Sequence, residues 1–105
     1  MARRAQAVGE GDIAAVAALF TRVRGRRAMR RLLDEILTPA ETRDLALRWR
    51  LVQRLHAGVP QRRIADELGI SLCKITRGSR ILKRADGVIR GLLDAAAAGR
   101  GEGPA

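Results

Sequence analysis

At 105 residues the chain has the length of one domain, and a helical domain of that size buries only a modest core unless a second chain adds surface, so oligomerisation is expected. Its 21 Lys and Arg against 11 Asp and Glu leave a net charge of +10, which points to a polyanionic partner, nucleic acid ahead of anionic membrane. No run of about 18 apolar residues and no recognisable signal sequence is present, and Cys73 is the single cysteine, so no membrane span and no intrachain disulfide is expected, and the location is read as cytoplasmic.

Residues 1–11 and 99–105 are rich in Gly, Ala and Arg without periodic apolar positions, and both are expected to be flexible tails, the first of them basic. Asp12 is placed to cap a first helix in which Ile13, Val16, Ala17, Phe20 and Val23 recur at helical spacing, with Gly25 ending it. A second pattern carries Met29, Leu32, Leu33, Ile36 and Leu37 on one face and Arg26, Arg27, Arg30 and Arg31 on the other, an amphipathic helix that seeks a partner surface. Thr38-Pro39-Ala40-Glu41 then forms a capping box: a hydroxyl cap, a proline at the first helical position and a glutamate three residues after the cap. The helix it opens is expected to run to Ala57, with Gly58 ending it. Two shorter helices fit residues 60–68 and 72–83, and Asp86 is placed to cap a last one carrying Val88, Ile89, Leu92 and Leu93. With no sustained period-two alternation, one Phe, one Trp and no Tyr, the fold is expected to be all-α.

Residues 61–83 read Q-R-R-I-A-D-E-L-G-I-S-L-C-K-I-T-R-G-S-R-I-L-K, the apolar spacing of a helix-turn-helix. Ile64 and Leu68 face inward on the first helix, Ala65 is small where the helices cross, Gly69 permits the turn, and Ile70, Ile75 and Leu82 complete the core. Ser71 caps the second helix. Placing Ile75 at the core centre puts Leu72, Ser79 and Leu82 on the inner side and turns Cys73, Thr76, Arg77 and Arg80 outward, towards a DNA major groove. Lys74 falls in the first turn, where the helix dipole disfavours a cation by about 0.3–1 kcal/mol; a phosphate or base edge would reverse that sign. A merely solvated basic face is the plainer alternative.

On the 39–57 helix, Arg43, Arg50 and Arg54 gather on one side as surface residues, whereas Arg48 falls amid Leu45, Leu51, Val52 and Leu55. A charge there needs a partner or a ligand. The pattern leaves that reading open against an arginine that reaches solvent or pairs with Asp44. His56, near a helix C-terminus, is read as a surface residue, and Trp49 as apolar filling or interface. Without a Cys–His cluster or a base beside Cys73, no metal site and no catalytic centre is expected.

Across residues 37–83 the chain resembles the tryptophan-operon repressor family, through Leu37-Thr38-Pro39, the W-R-L-V helix with Arg48, Gln61-Arg62, and above all Ile75-Thr76-Arg77-Gly78-Ser79. The resemblance implies an intertwined all-α homodimer that binds two half-sites of double-stranded operator DNA, with L-tryptophan as corepressor filling the gap between core and head. It implies residues 12–58 as a dimerisation core, 60–83 as the helix-turn-helix and 86–98 as a C-terminal helix. By position, Arg48 and Arg77 would sandwich the indole ring, with Arg77 also pairing the ligand carboxylate. Thr38 would bond that carboxylate, backbone carbonyls near Glu35 and Leu37 would accept from the amino group, and Gly78 would leave room against the ring. A planar guanidinium stacks on an aromatic face as a lysine cannot, which accounts for Arg48. On the DNA side, Gln61 and Arg62 open the first helix with Arg62 reading a base edge, Leu72, Cys73 and Lys74 would enter the groove, and Thr76 would touch phosphate.

Ile81 stands where the family often has a small hydroxyl residue that helps hold the ligand's amino group, and Ala65 and Lys74 also depart from the family pattern. The sequence therefore reads as an amino-acid-gated repressor, not an enzyme, with a helix-turn-helix regulator of different or no effector as the alternative. A basic helical module that binds RNA or acidic protein without base readout is a third reading.

Overall fold

The apolar spacing that runs through the chain folds into six helices, with no strand among the described residues. The structure is a computed structural model that describes the backbone of residues 7–102 and the side chains of residues 7–99; the outermost parts of both expected tails lie outside the described residues. No helix among them is long and apolar enough to cross a membrane. The chain divides into two compact units, Met1–Thr42 and Arg43–Ala105.

In the first unit, α1 spans Glu10–Arg22 and α2 spans Arg26–Ile36. The cap of α1 is Gly9 rather than Asp12. The Gly9 N–H donates to the Asp12 carboxylate at 3.0 Å, which puts that acid in the first turn, where the helix dipole favours it. Helix α1 ends at Arg22, and Gly25 caps the start of α2 instead of closing α1. Neither helix buries a residue: Ile13 is 55% exposed and Val16 45%. Helix α3, Pro39–His56, opens on the expected capping box, with the Glu41 N–H donating to the Thr38 hydroxyl at 3.1 Å and the Thr38 N–H donating to the Glu41 carboxylate at 2.8 Å.

The second unit holds the rest of α3, then α4 (Gln61–Leu68), α5 (Leu72–Lys83) and α6 (Val88–Glu102). Gly69 lies between α4 and α5 at φ +64°, in the left-handed region that a side chain resists, and its N–H closes α4 on the Ala65 carbonyl. Ser71 caps α5 by accepting from the Lys74 N–H. Leu51, Ile64 and Ile75 form the core of this head, with Leu55, Val59, Ala65, Leu68 and Ile70 packed around them. Leu72, expected on the inner side, is instead exposed, because Gly78 takes the centre of the buried face next to Ile75.

Two long-range polar contacts fasten the head. The Arg54 Nη2 donates to both Glu67 oxygens at 2.7 Å, tying α3 to α4, so Arg54 is half-buried rather than a surface residue. The His56 Nε2 lies 2.7 Å from Asp94 Oδ1, tying α3 to α6. Helix α6 begins at Val88, one residue later than an Asp86 cap would set, and continues to Glu102 rather than ending at 98. Ala95–Ala98 supply the strongest helix formers at that point, which carries the helix into the segment expected as tail.

Candidate functional site

Helices α3 and α5 each present a stripe with the spacing i, i+3, i+4, i+7, which lies on one helix face. On α3 the stripe is Asp44, Leu47, Arg48 and Leu51, and on α5 it is Lys74, Arg77, Gly78 and Ile81. With Ile70 from the turn, these side chains line an open cleft of about 470 Å³, a volume within the usual span for small-molecule sites.

Gly78 explains how the two helices come so close. A methyl group on its Cα would lie 2.7 Å from Leu51 Cδ2 and 3.0 Å from Leu51 Cγ, so only glycine leaves space for the buried leucine there. Room against a ligand ring is not needed to account for this residue.

The walls combine apolar and charged groups. Leu47, Leu51, Ile70 and Ile81 supply the first kind; Arg48, Lys74 and Arg77 supply three cations and Asp44 one anion. Arg48 is exposed in the cleft wall rather than enclosed by leucines, and it is not paired with Asp44. The ion pairs among the described residues are Arg30–Asp34, Arg54–Glu67, Arg63–Glu67, His56–Asp94 and Arg90–Asp94. All four charges of the cleft are therefore left without a counter-ion. Two planar guanidinium groups beside an apolar floor can stack on an aromatic ring and bind a carboxylate.

Of the five residues expected to hold a ligand, Arg48, Arg77 and Gly78 thus line one cleft. Leu37 and Thr38 belong to the other unit. Leu37 lines a separate hollow of about 260 Å³ with Arg30, Asp34, Pro39 and Thr42. The Thr38 hydroxyl accepts from Glu41, which leaves its proton available to an acceptor.

The six residues expected to meet DNA are all exposed. Gln61 and Arg62 begin α4, and Leu72, Cys73 and Lys74 form the first turn of α5. Arg62 takes part in none of the ion pairs above, whereas its neighbour Arg63 is held by Glu67 at 3.3 Å. Thr76 is the exception to a free hand: its hydroxyl donates to the Leu72 carbonyl at 3.0 Å, so a phosphate contact through that proton requires the helix bond to be exchanged. Lys74 belongs to both sets, because it lines the cleft as well as the first turn of α5.

Asp44, named from the sequence only as a possible partner of Arg48, lines the cleft without making that pair. Away from the cleft-lining residues, on α6, Asp94 is held below the ordinary aspartate value of 3.8, chiefly by its hydrogen bond to His56 and further by the charges of His56 and Arg90, against a smaller opposing effect of burial.

Comparison with known proteins identifies the family. The sequence pattern of the family described as Trp repressor protein matches residues 12–96. Proteins named Trp operon repressor homolog from Chlamydia trachomatis serovars L2 and D are 33% identical over 69 residues, 65% of this chain and 73% of theirs. Another of that name, from Actinobacillus succinogenes, is 46% identical over 55 residues, 51% of this chain and 54% of its own. No solved structure gives a significant match. The helical fold and the match across residues 12–96 together establish that the chain belongs to the Trp repressor family of transcriptional repressors.

Proposed function

We propose that this protein is a homodimeric, sequence-specific DNA-binding repressor whose affinity for its operator rises when an amino acid, L-tryptophan, fills the cleft between α3 and α5. The observation that carries this reading is the double use of α5. Its first turn and the start of α4 supply the exposed residues suited to a major groove, while the stripe from Lys74 to Ile81, which shares only Lys74 with that first turn, is one wall of the cleft. A ligand wedged beside the Gly78–Leu51 contact acts on the position of the very helix that reads DNA. In a dimer, two such helices must enter grooves about 34 Å apart, so a small change in their setting decides whether both fit.

Dimerisation is supported by what the single chain leaves uncovered. Among the described residues, all five buried apolar side chains lie between positions 51 and 93, and α1 and α2 bury none. Ile13, Val16, Leu19, Ile36, Leu45 and Trp49 are exposed apolar side chains that a second copy would cover. The net charge of +10 favours DNA as partner.

Ile81 favours a second reading, a regulator with another effector. It lines the cleft with an apolar side chain, so it offers no hydroxyl to a ligand's amino group. Thermal melting with each free amino acid separates the two: tryptophan at about 100 times its Kd adds about 2.7 kcal/mol to stability, and no shift with tryptophan alongside a shift with another compound supports the second reading.

A further inference from the structure

We infer that Asp44 is the acceptor for the effector's α-ammonium group, and so the residue that makes the cleft choose an amino acid over the corresponding plain carboxylic acid. This rests on the reading of the cleft as an amino-acid site. Asp44 supplies the only carboxylate among the cleft-lining residues, and three cations share the cleft with it. It stands four residues before Arg48 on the same helix, the favourable order for an acid and a base on a helix face. That pair is nevertheless not formed, and Asp44 takes part in no ion pair among the described residues. The cleft therefore presents separate, unneutralised charges of both signs around an apolar floor.

A zwitterion meets both signs of that pattern, whereas a simple anion meets only the cations. Its carboxylate meets Arg77 or Lys74, its hydrocarbon side chain lies on Leu47, Leu51, Ile70 and Ile81, and its ammonium needs an anionic or carbonyl oxygen. Backbone carbonyls near Glu35 and Leu37 are the acceptors the family resemblance implies; among the cleft's own side chains Ile81 offers none, and Asp44 adds an anionic one. A carboxylic acid without the amino group would leave Asp44 unpaired beside a second anion, which costs affinity.

Calorimetric titration of the full chain and of Asp44→Asn with L-tryptophan and with 3-(indol-3-yl)propionate, the same molecule lacking the ammonium, tests the assignment. The substitution is isosteric at an exposed, unpaired position, so the unliganded melting temperature should not move. Tryptophan binding should weaken about tenfold in Asp44→Asn, while the propionate should bind equally well or better. Equal loss for both ligands, or no loss for tryptophan, overturns the role of Asp44 and leaves the amino-acid site standing. Failure of the unaltered protein to bind either ligand overturns the reading of the cleft as a tryptophan site, and this inference with it.

Discussion

Gly78→Ala measures whether the α3–α5 contact has the closeness described. The added methyl would lie 2.7 Å from Leu51 Cδ2, 3.0 Å from its Cγ and 3.6 Å from Leu55 Cδ1, and Leu51, only 4% exposed, has little space to retreat. Overpacking of this kind costs about 1–3 kcal/mol. Against it stands the gain of replacing a helical glycine by alanine, about 1 kcal/mol. The balance is a loss of about 0–2 kcal/mol, and each kcal/mol lowers the melting temperature by about 4–8 °C in a domain of this size. Leu51→Ala alone should cost about 2–5 kcal/mol through the cavity it leaves. In that background the new methyl has room, so Gly78→Ala should stabilise by about 1 kcal/mol, and the cycle should return a coupling of about 1–3 kcal/mol. Urea unfolding of the four proteins at one fixed protomer concentration gives the answer. The reasoning is refuted if Gly78→Ala has the same sign and size with and without Leu51.

Asp94 sets an acid-dependent part of stability. Its carboxyl is held below 3.8 in the folded chain, so it stabilises at pH values above the ordinary aspartate range, and that contribution disappears as the pH falls through the lowered value. Asp94→Asn should therefore show a shallower loss of melting temperature between about pH 5 and about pH 2 than the unaltered protein; superimposable profiles would rule this out. Arg62, exposed and unpaired, should behave as a base reader. Arg62→Ala should cost about 1–3 kcal/mol of operator binding and relax preference at one base pair, with uniform weakening across all sequences as the contrary outcome.

Much of the fold was legible because its signals are local. The capping box at Thr38, the Ser71 cap and the left-handed Gly69 each act within three or four residues, and Ile64 and Ile75 mark the inner faces of α4 and α5 by spacing alone. What escaped depends on contacts between elements. Arg54 reaches Glu67 across 13 positions and His56 reaches Asp94 across 38, distances over which periodicity carries no information. Arg48 was expected among leucines because a helical wheel shows which residues share a face, not whether anything covers it; here that face borders a cleft. Gly78 was the harder case. A glycine inside a helix signals a close approach, but not whether a ligand or a leucine makes it, and the structure identifies Leu51. Leu37 and Thr38 belong to the same family resemblance as Arg48, as a separate piece of it, and the chain places them in the other compact unit.

The gating account is tested most directly by titrating L-tryptophan into the protein free and bound to a duplex selected by the protein from a random pool. Linkage requires that an effector which strengthens DNA binding must itself bind more tightly when DNA is present, by the same factor, about 5- to 150-fold for couplings of ordinary size. The account predicts that increase, and its loss in Arg77→Ala. Equal tryptophan affinities in the two titrations would contradict it.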